Sequence, residues 1–303
     1  MTDQIVLSCD PGIDDALAIV FLSKLGSLKA IWTTMGNNTL ENCTQNAARV
    51  LNLLGERQIP IIKGAAEPLS GPIDLIAGVH GKDGLGDTDL PLPDLEDFTW
   101  ETIDFIKSSL VENPHKITLV STGPLMNLAN LIQNTPRETL LLFKEIIIMG
   151  GAINIPGNVT PYAEFNVFCD PKAAKIVFAS GLPLTLVGLD VSQKAIMTET
   201  HIRLLEAKST PLTNFLVQIV RFYSDFHKGL NGCYLHDPLA VAVALDSTLI
   251  TKKKAFNIDV VVDDPVKEGQ TIPLKDTKNA NISVCLELKT EKFLKFFMNA
   301  LLK

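Results

Sequence analysis

Runs of apolar residues alternate along the chain with amphipathic stretches, and most runs end in polar or glycine-containing turns. Apolar-rich runs at residues 5–9, 28–35, 116–121, 145–149 and 184–189 are typical of strands buried in a parallel sheet. Between them, apolar residues recur three and four positions apart, which predicts amphipathic helices. Strands that alternate with helices predict an α/β fold with a mostly parallel central sheet flanked by helices.

The same pattern gives the remaining elements. Helices are predicted from residue 13 and at 40–54, 99–112, 127–133, 170–180, 198–226, 239–245 and 290–302, and further strands at 59–63, 255–262 and 280–286. Residues 78–87 hold four glycines and predict a loop. Residues 152–168 show no periodicity, and a long irregular segment of this kind is usually functional. The short run Lys252–Lys254 is interpreted as a solvated turn.

Three carboxylates follow the first predicted strand: Asp10, Asp14 and Asp15, with a Pro-Gly turn between the first and second. Ligands of open α/β sheets bind at the carboxyl ends of strands. Asp10 and Asp15 offer hard oxygen ligands for Ca²⁺ or Mg²⁺, whereas Asp14, about 100° away around the helix, can face something else. Alternatively, Asp10 caps the helix and the other two complement its dipole. Repulsion between adjacent carboxylates favours a cation or a substrate donor here.

Composition narrows the classes of function. The chain has 303 residues, of which 46% are hydrophobic and 20% are charged, enough for one large core or two small ones. Its net charge of -7 is spread along the chain without a basic stripe. We therefore expect neither nucleic acid nor an anionic membrane as the main partner, and a metal ion or a small polar ligand fits better.

The cysteines and the N-terminus bear on the compartment. The five cysteines are an odd number without the spacing of a zinc site or a redox pair, so we expect small buried thiols in a reducing compartment. The chain enters its first strand without a basic leader, and no stretch approaches the roughly 18 apolar residues of a membrane span. These observations predict a cytoplasmic protein.

Other polar segments, at residues 36–39, 121–127 and 150–166, also follow predicted strands, and such ends share one edge of a parallel sheet. His236 and Asp237 open a later helix. Asp237 adds a hard ligand and His236 a donor expected to titrate near neutral pH, although a helix-capping histidine is the alternative. His80 lies between glycines as either a substrate contact or an ordinary loop histidine.

Together these blocks resemble the inosine–uridine-preferring nucleoside hydrolases, from residue 5 to about 245. The blocks that carry the resemblance are Asp10–Ala16, Gly36–Asn37, Thr122–Asn127, Met149–Ala152, Pro156–Pro161, Ala163–Asn166, Asp170–Pro171 and His236–Ala240. The resemblance implies an open Rossmann-like nucleoside hydrolase fold over a single domain, residues 1–303. It also implies a homo-oligomer, a dimer or a tetramer, with a role in purine and pyrimidine salvage.

The resemblance also implies a set of site residues. Ca²⁺ would be held by Asp10, Asp15, the main-chain carbonyl of Thr122 and Asp237. The substrate would be bound by two sets of residues. The ribose hydroxyls would be contacted by Asp14, Asn37, Asn158, Glu164 and Asn166. The rest of the substrate site would be formed by His80, Met149, Phe165 and Asp237. The base pocket would come from the regions around Val79, His80, Phe165, Tyr223, His227 and Tyr234.

The chemistry explains why such a set is needed. Hydrolysis of an N-ribosyl bond passes through an oxocarbenium-like state, so the site must activate a water, stabilise the sugar and protonate the base. Asp10 would take the proton of a water acidified by the cation. His236 would be the general acid, assisted by His80, as in members that accept both purine and pyrimidine nucleosides. Purine-restricted members place tryptophans around the base, and neither Trp32 nor Trp100 suits that role.

One departure from the family pattern is Ser8, where the family usually has an aspartate. The loss of this negative charge near the metal would weaken Ca²⁺ affinity or alter Asp10. A catalytically weak homologue that binds nucleoside and metal is therefore one alternative. A haloacid-dehalogenase-like phosphatase is another, but its nucleophile pair needs two aspartates with one residue between them, and Ser8 with Asp10 does not provide that.

Overall fold

The computed structural model describes residues 4–73 and 78–303. The strands are β1 Gln4–Cys9, β2 Leu28–Thr33, β3 Ile61–Lys63, β4 Trp100–Glu101, β5 Ile117–Ser121, β6 Glu145–Met149, β7 Leu184–Val187, β8 Ile196–Thr198, β9 Gly232–Tyr234, β10 Ile250–Phe256, β11 Ile258–Val260, β12 Thr271–Pro273 and β13 Ile282–Leu288. The helices are α1 Ile13–Lys24, α2 Leu40–Leu54, α3 Ile103–Glu112, α4 Met126–Gln133, α5 Arg137–Leu140, α6 Phe165–Cys169, α7 Pro171–Ala179, α8 Leu189–Ser192, α9 Glu199–Lys208, α10 Pro211–Phe226, α11 His236–Leu245 and α12 Thr290–Leu301.

Nine of the described strands form one sheet in the order β10-β13-β7-β6-β5-β1-β2-β3-β4. Every neighbouring pair is parallel except β10 with β13. The predicted α/β fold with a mostly parallel sheet is confirmed. The chain adds β2, β3 and β4 on one side of β1 and then returns to place β5 on the other side. The direction of winding therefore reverses between β1 and β5, and such switch points open a crevice at the carboxyl ends of the strands.

Side chains of β1 alternate between two hydrophobic layers, because successive residues of a strand face opposite sides of a sheet. Ile5, Leu7 and Cys9 pack in the layer that includes residues of α1, α2, α10, α11 and α12. Val6 packs in the opposite layer with residues of α3, α4 and α7. The five cysteines are all buried and free, as expected from their spacing. Among the described residues no helix combines the length and apolarity needed to cross a bilayer.

Two predicted helices have different bounds. The helix expected at 99–112 begins only at Ile103, because Trp100 and Glu101 pair with β3 as a short edge strand and Thr102 caps the helix. The helix expected at 198–226 is divided into α9 and α10 at Ser209, whose φ of 47° lies in the left-handed region. The proline at the start of α10 has no amide hydrogen and suits the first position of a helix.

The segment 250–290 differs most from prediction. Lys252–Lys254 was expected in a turn, but these residues lie in the edge strand β10, where Lys252 forms an ion pair with Glu287. Exposed lysines on an edge strand discourage pairing with other chains, which explains a charged strand that looks like a turn. The strand predicted at 255–262 is divided between β10 and β11, and β12, which pairs with β11 outside the main sheet, was not predicted. Within the segment 152–168, the last residues form the short helix α6.

Candidate active site

A group of buried carboxylates lies at the switch point, where β1 leads into α1. One oxygen each from Asp14, Asp15 and Asp237 lies within 4.8 Å of the others. The first two stand in the first turn of α1, and Asp237 stands in the first turn of α11, which packs against α1. Asp14, which the sequence leaves free to face something other than the cation, also places an oxygen in this group.

Asp10 lies directly beside this group and is 1% exposed. Its Oδ2 accepts a hydrogen bond of 2.6 Å from the main-chain amide of Asn37, whose side-chain amide donates to Asp15. Glycines allow the backbone to approach so closely. A Cβ at Gly36 would lie 2.1 Å from Asp10 Oδ2, and one at Gly123 would lie 2.5 Å from Oδ1. The turns after β1, β2 and β5 therefore meet around one carboxylate.

Burial and mutual repulsion raise the pKa values of these acids. Burial and then Asp15 raise the pKa of Asp14 to about 7, and burial followed by neighbouring carboxylates raises those of Asp10 and Asp237 well above the usual range. No lysine or arginine of the described chain lines the adjoining cavity. Hard oxygen donors without a basic partner fit a divalent cation, which would stabilise their ionised forms.

Thr122 joins β5 to this group. Its hydroxyl donates to Asp15 Oδ1 at 2.8 Å, and its carbonyl accepts a hydrogen bond of 2.6 Å from the side-chain amide of Asn166. Asn166 also donates to the carbonyl of Met149 at the end of β6. Asn166, in α6, thus bridges the ends of the neighbouring strands β5 and β6 through Thr122 and Met149.

A cavity of about 360 Å³ opens beside the carboxylates. Its lining includes these residues of the expected site: Asp14, Asn37, His80, Thr122, Met149, Asn158, Glu164, Phe165, Asn166, His236 and Asp237. Asp10 and Asp15 are not among the residues that line it, and both are buried. All of the residues expected around the base, namely Val79, His80, Phe165, Tyr223, His227 and Tyr234, also line the cavity. Gln193 and Phe226 line it too, and no motif in the sequence indicated them.

One side of the cavity carries amides and a carboxylate from the segment 150–166. Glu164 is 2% exposed and accepts main-chain hydrogen bonds from Gly151, Asn166 and Val167. Asn158 Oδ1 accepts a hydrogen bond from the amide of Phe165. This side offers the donors and acceptors that sugar hydroxyls require.

The other side is built from aromatic rings and imidazoles. The rings of His80, Tyr223, His227, Tyr234 and His236 follow one another with centroids 4.4–5.3 Å apart. His227 Nδ1 lies 2.9 Å from the carbonyl of Tyr223, so this nitrogen carries a proton. His236 Nδ1 lies 2.8 Å from the hydroxyl of Ser192. Flat rings with a few polar atoms suit a heterocyclic base.

The histidines are neutral in this setting. Burial, together with the other imidazoles, lowers the pKa of His236 and that of His80 to about 3. The expectation that His236 titrates near neutral pH is therefore not met, because a buried ring loses the hydration that stabilises the imidazolium.

Ser8 has a defined partner away from the carboxylates. It is fully buried, pairs with Ser121 across β1 and β5, and its Oγ accepts a hydrogen bond of 3.2 Å from the side-chain amide of Asn127. The serine is accommodated by this contact, and its neutral hydroxyl adds no charge near Asp10.

With this geometry established, comparison with known proteins decides the family. Residues 5–295 match the family model described as inosine-uridine preferring nucleoside hydrolase. The chain belongs to this family. A pyrimidine-specific ribonucleoside hydrolase RihA of Salmonella arizonae is 37% identical over 278 residues, which are 90% of this chain and 88% of the relative. A protein with the same description from Photobacterium profundum is 38% identical over 255 residues, 82% of each chain.

Solved structures of other nucleoside hydrolases have the same fold as this chain. A purine-preferring ribonucleoside hydrolase from Gardnerella vaginalis has a TM-score of 0.91 and 32% identity, and covers 99% of this chain and 98% of its own. A plant nucleoside hydrolase has a TM-score of 0.90 and 29% identity, with 99% of each chain covered. The protein is therefore an enzyme of the ribonucleoside hydrolase class, and the phosphatase alternative is wrong.

Proposed function

We propose that the enzyme hydrolyses the N-glycosidic bond of ribonucleosides in a Ca²⁺-dependent reaction that yields ribose and free base. The observation that carries this proposal is a cavity whose lining combines amides and carboxylates with a run of aromatic and imidazole rings, beside a group of buried carboxylates. A ribose and an attached base need these two environments side by side.

The cation would be held by Asp10, Asp15, Asp237 and the Thr122 carbonyl. This set offers the hard carboxylate and carbonyl oxygens that Ca²⁺ prefers as ligands. Asp14 lies in the same group and adds one more carboxylate to it. A bound cation would lower the pKa of the attacking water. Asp10, which lies beside the group with both oxygens near glycine turns, would accept the proton of that water.

The sugar would be bound by Asp14, Asn37, Asn158, Glu164 and Asn166, with Met149 beside them. Fixed hydroxyl contacts hold the ring in the conformation from which the base departs, and nearby negative charge stabilises the oxocarbenium-like transition state. Asn166 is already oriented by its bonds to Thr122 and Met149, so little reorganisation is needed when the sugar binds.

The base would lie against Phe165 and His80 and receive its proton from His236. Because its pKa is low, the His236 ring would be neutral before the reaction. As negative charge develops on the departing base, the imidazolium form becomes more favourable, since opposite charges attract strongly in a buried site. His236 would therefore take up one proton from solvent and pass it to the base, which returns the ring to its neutral form. Neither Trp32 nor Trp100 lines the cavity, so nothing among the described residues supports a tryptophan sandwich, and we propose that purine and pyrimidine nucleosides are both accepted.

The test is release of free base and reducing sugar from uridine, cytidine and inosine by the purified enzyme. We expect turnover with added Ca²⁺, loss of activity in EGTA, and recovery when Ca²⁺ is restored. As a control, Lys252→Ala removes the exposed ion pair with Glu287 on the edge strand β10 and should leave turnover unchanged. Failure to release base from any ribonucleoside would reject the proposal.

We propose that residues 1–303 form a single domain that assembles into a dimer or tetramer, which sedimentation at micromolar concentration would test. We also propose a cytoplasmic location, supported by five free, buried thiols, and a role in nucleoside salvage.

A further inference from the structure

The hairpin of β11 and β12 lies against the segment that carries Glu164. Thr271, in β12, is 3% exposed, and its hydroxyl makes two hydrogen bonds to one residue. It accepts from the amide of Ala152 at 3.1 Å and donates to the carbonyl of Ala152 at 2.7 Å. The neighbouring Gln270 forms an antiparallel bridge with Ala163. The hairpin therefore contacts both ends of the segment 152–163.

The residues next to Ala152 form a turn that only glycine adopts readily. Gly150 and Gly151 have φ angles of 157° and 73°. A Cβ on Gly151 would lie 3.2 Å from the Thr271 methyl carbon, so the glycine also lets the hairpin approach. In the same turn, the Gly151 amide donates to Glu164 Oε2 at 2.8 Å. Thr271 and Glu164 thus bind adjacent residues of one turn.

The Gly151 amide differs from the other main-chain donors to Glu164. The other two main-chain donors, Asn166 and Val167, belong to the first turn of α6, which Glu164 itself caps. They move together with Glu164. The bond from Gly151 instead fixes the carboxylate relative to the end of β6, where Met149 and the rest of the sheet edge lie.

We propose that Thr271 is a positioning residue for Glu164. By closing the turn at Ala152, its hydroxyl sets the place of the Gly151 amide and, through it, the place of the carboxylate against the ribose. The inference rests on the proposed function, in which Glu164 binds sugar hydroxyls. Without the hydroxyl, the buried amide and carbonyl of Ala152 lose their partner, which favours a shifted turn.

Two substitutions separate the hydroxyl from the shape of the side chain. Thr271→Val keeps the shape and removes both hydrogen bonds, whereas Thr271→Ser keeps the hydroxyl and removes the methyl group. We expect Thr271→Val to lower kcat/KM by about tenfold, since small misplacements of a binding group are costly, and Thr271→Ser to stay within about twofold of wild type. The loss should be equal for uridine and p-nitrophenyl riboside, because the two substrates share the sugar. Equal activity of the valine variant and wild type would overturn the inference.

A double-mutant cycle shows whether Thr271 acts through Glu164. In a Glu164→Gln background, Thr271→Val should add less than about twofold, because the carboxylate that the turn positions has already been changed. Losses that simply multiply would assign Thr271 a general structural role and would overturn the inference. If Glu164→Gln itself had wild-type activity, the sugar-binding role of Glu164 would fail, and the inference with it.

Hydrogen exchange gives a readout that does not depend on activity. Peptides covering residues 146–168 should exchange faster in Thr271→Val than in wild type or Thr271→Ser, while peptides from β1 and α1 should be unchanged. Unchanged exchange in the valine variant would show that the hydroxyl does not hold the turn, even if nucleoside hydrolysis were confirmed.

Discussion

His80 accepts a hydrogen bond of 3.0 Å at Nδ1 from the main-chain amide of Ile13. This contact joins the glycine-rich loop to the first turn of α1 and determines which ring nitrogen carries the proton. Because Nδ1 is the acceptor, the neutral ring has its proton on Nε2 and can act as a donor to a ligand. A Cβ at Gly12 would lie 2.8 Å from the same Nδ1, so glycine is needed for this approach.

We predict that His80 stays neutral between pH 5 and 8, because burial lowers its pKa to about 3. Its imidazole resonances should not titrate in this range, as measured by NMR of the protein with labelled histidine. His80→Ala should lower kcat/KM by about tenfold, and His80→Gln, which retains an N–H donor, by less. A titration midpoint near 6.5 would show that the ring is not held as the structure indicates.

Asp10→Asn should lower kcat by at least about 10²-fold while ribose binding persists. The amide keeps the shape of the side chain but cannot accept the proton of the water, and general-base catalysis is worth about 10²–10⁴. Single-turnover kinetics and competition by ribose measure the two effects separately. Turnover close to that of wild type would assign the base to another carboxylate.

Discrimination against 2′-deoxynucleosides should be strong. The sugar side of the cavity presents buried polar groups, including Glu164 and Asn166, that lose their partners when a hydroxyl is missing. Such a loss typically costs about 10⁴ in kcat/KM. The comparison of uridine with 2′-deoxyuridine measures it, and a ratio below about 10 would mean that these groups do not contact the 2′-hydroxyl.

Local sequence patterns predicted most of the parallel strands of the main sheet, and polar residues follow several of these strands because the ends of parallel strands share one edge. Asp10 and Thr122 stand directly after β1 and β5, Asn37 stands four positions after β2, and the sheet brings the three together. The resemblance supplied the residues with weaker local signals, such as Met149 and Asn158.

What sequence reasoning missed depends on contacts between distant segments. Gln193 and Phe226 line the cavity because α8 and α10 end beside it, and neither has a motif. The hydrogen bonds of Thr271 join residues 119 positions apart, and the three-residue strand β12 has too short a pattern to predict. The pKa of His236 likewise follows from burial and neighbouring rings that only the folded chain defines.

Stabilisation by Ca²⁺ should increase with pH. Asp14 has a folded pKa of about 7, above the value of about 3.9 in an unfolded chain. Its contribution to stability is therefore full below the unfolded pKa and is lost as the pH rises through the folded pKa. The pKa values of the proposed ligands Asp10 and Asp237 are raised as well, by burial and by neighbouring carboxylates. Protons therefore compete with the cation for the ligand oxygens, and the rise in Tm on adding Ca²⁺ should be larger at pH 8 than at pH 5.

Asp237→Asn provides the matched variant for this measurement. Removal of one buried charge should abolish most of the Ca²⁺-dependent rise in Tm at pH 8, and should not lower the Tm in EGTA, because repulsion within the group decreases. A Ca²⁺ effect as large as that of wild type would place the ion elsewhere.

The role of His236 can be tested by changing the leaving group. If His236 protonates the departing base, His236→Ala should slow uridine and inosine by about 10²-fold or more, since general-acid catalysis is worth about 10²–10⁴. The same variant should hardly affect p-nitrophenyl riboside, because p-nitrophenolate leaves as a stabilised anion that needs no proton. His227→Ala is the comparison variant, and it should not show this selectivity because His227 Nδ1 already donates to the Tyr223 carbonyl. Equal losses of the His236 variant on nucleosides and on p-nitrophenyl riboside would mean that His236 positions the site, and the proton donor would then have to be sought at His80 or His227.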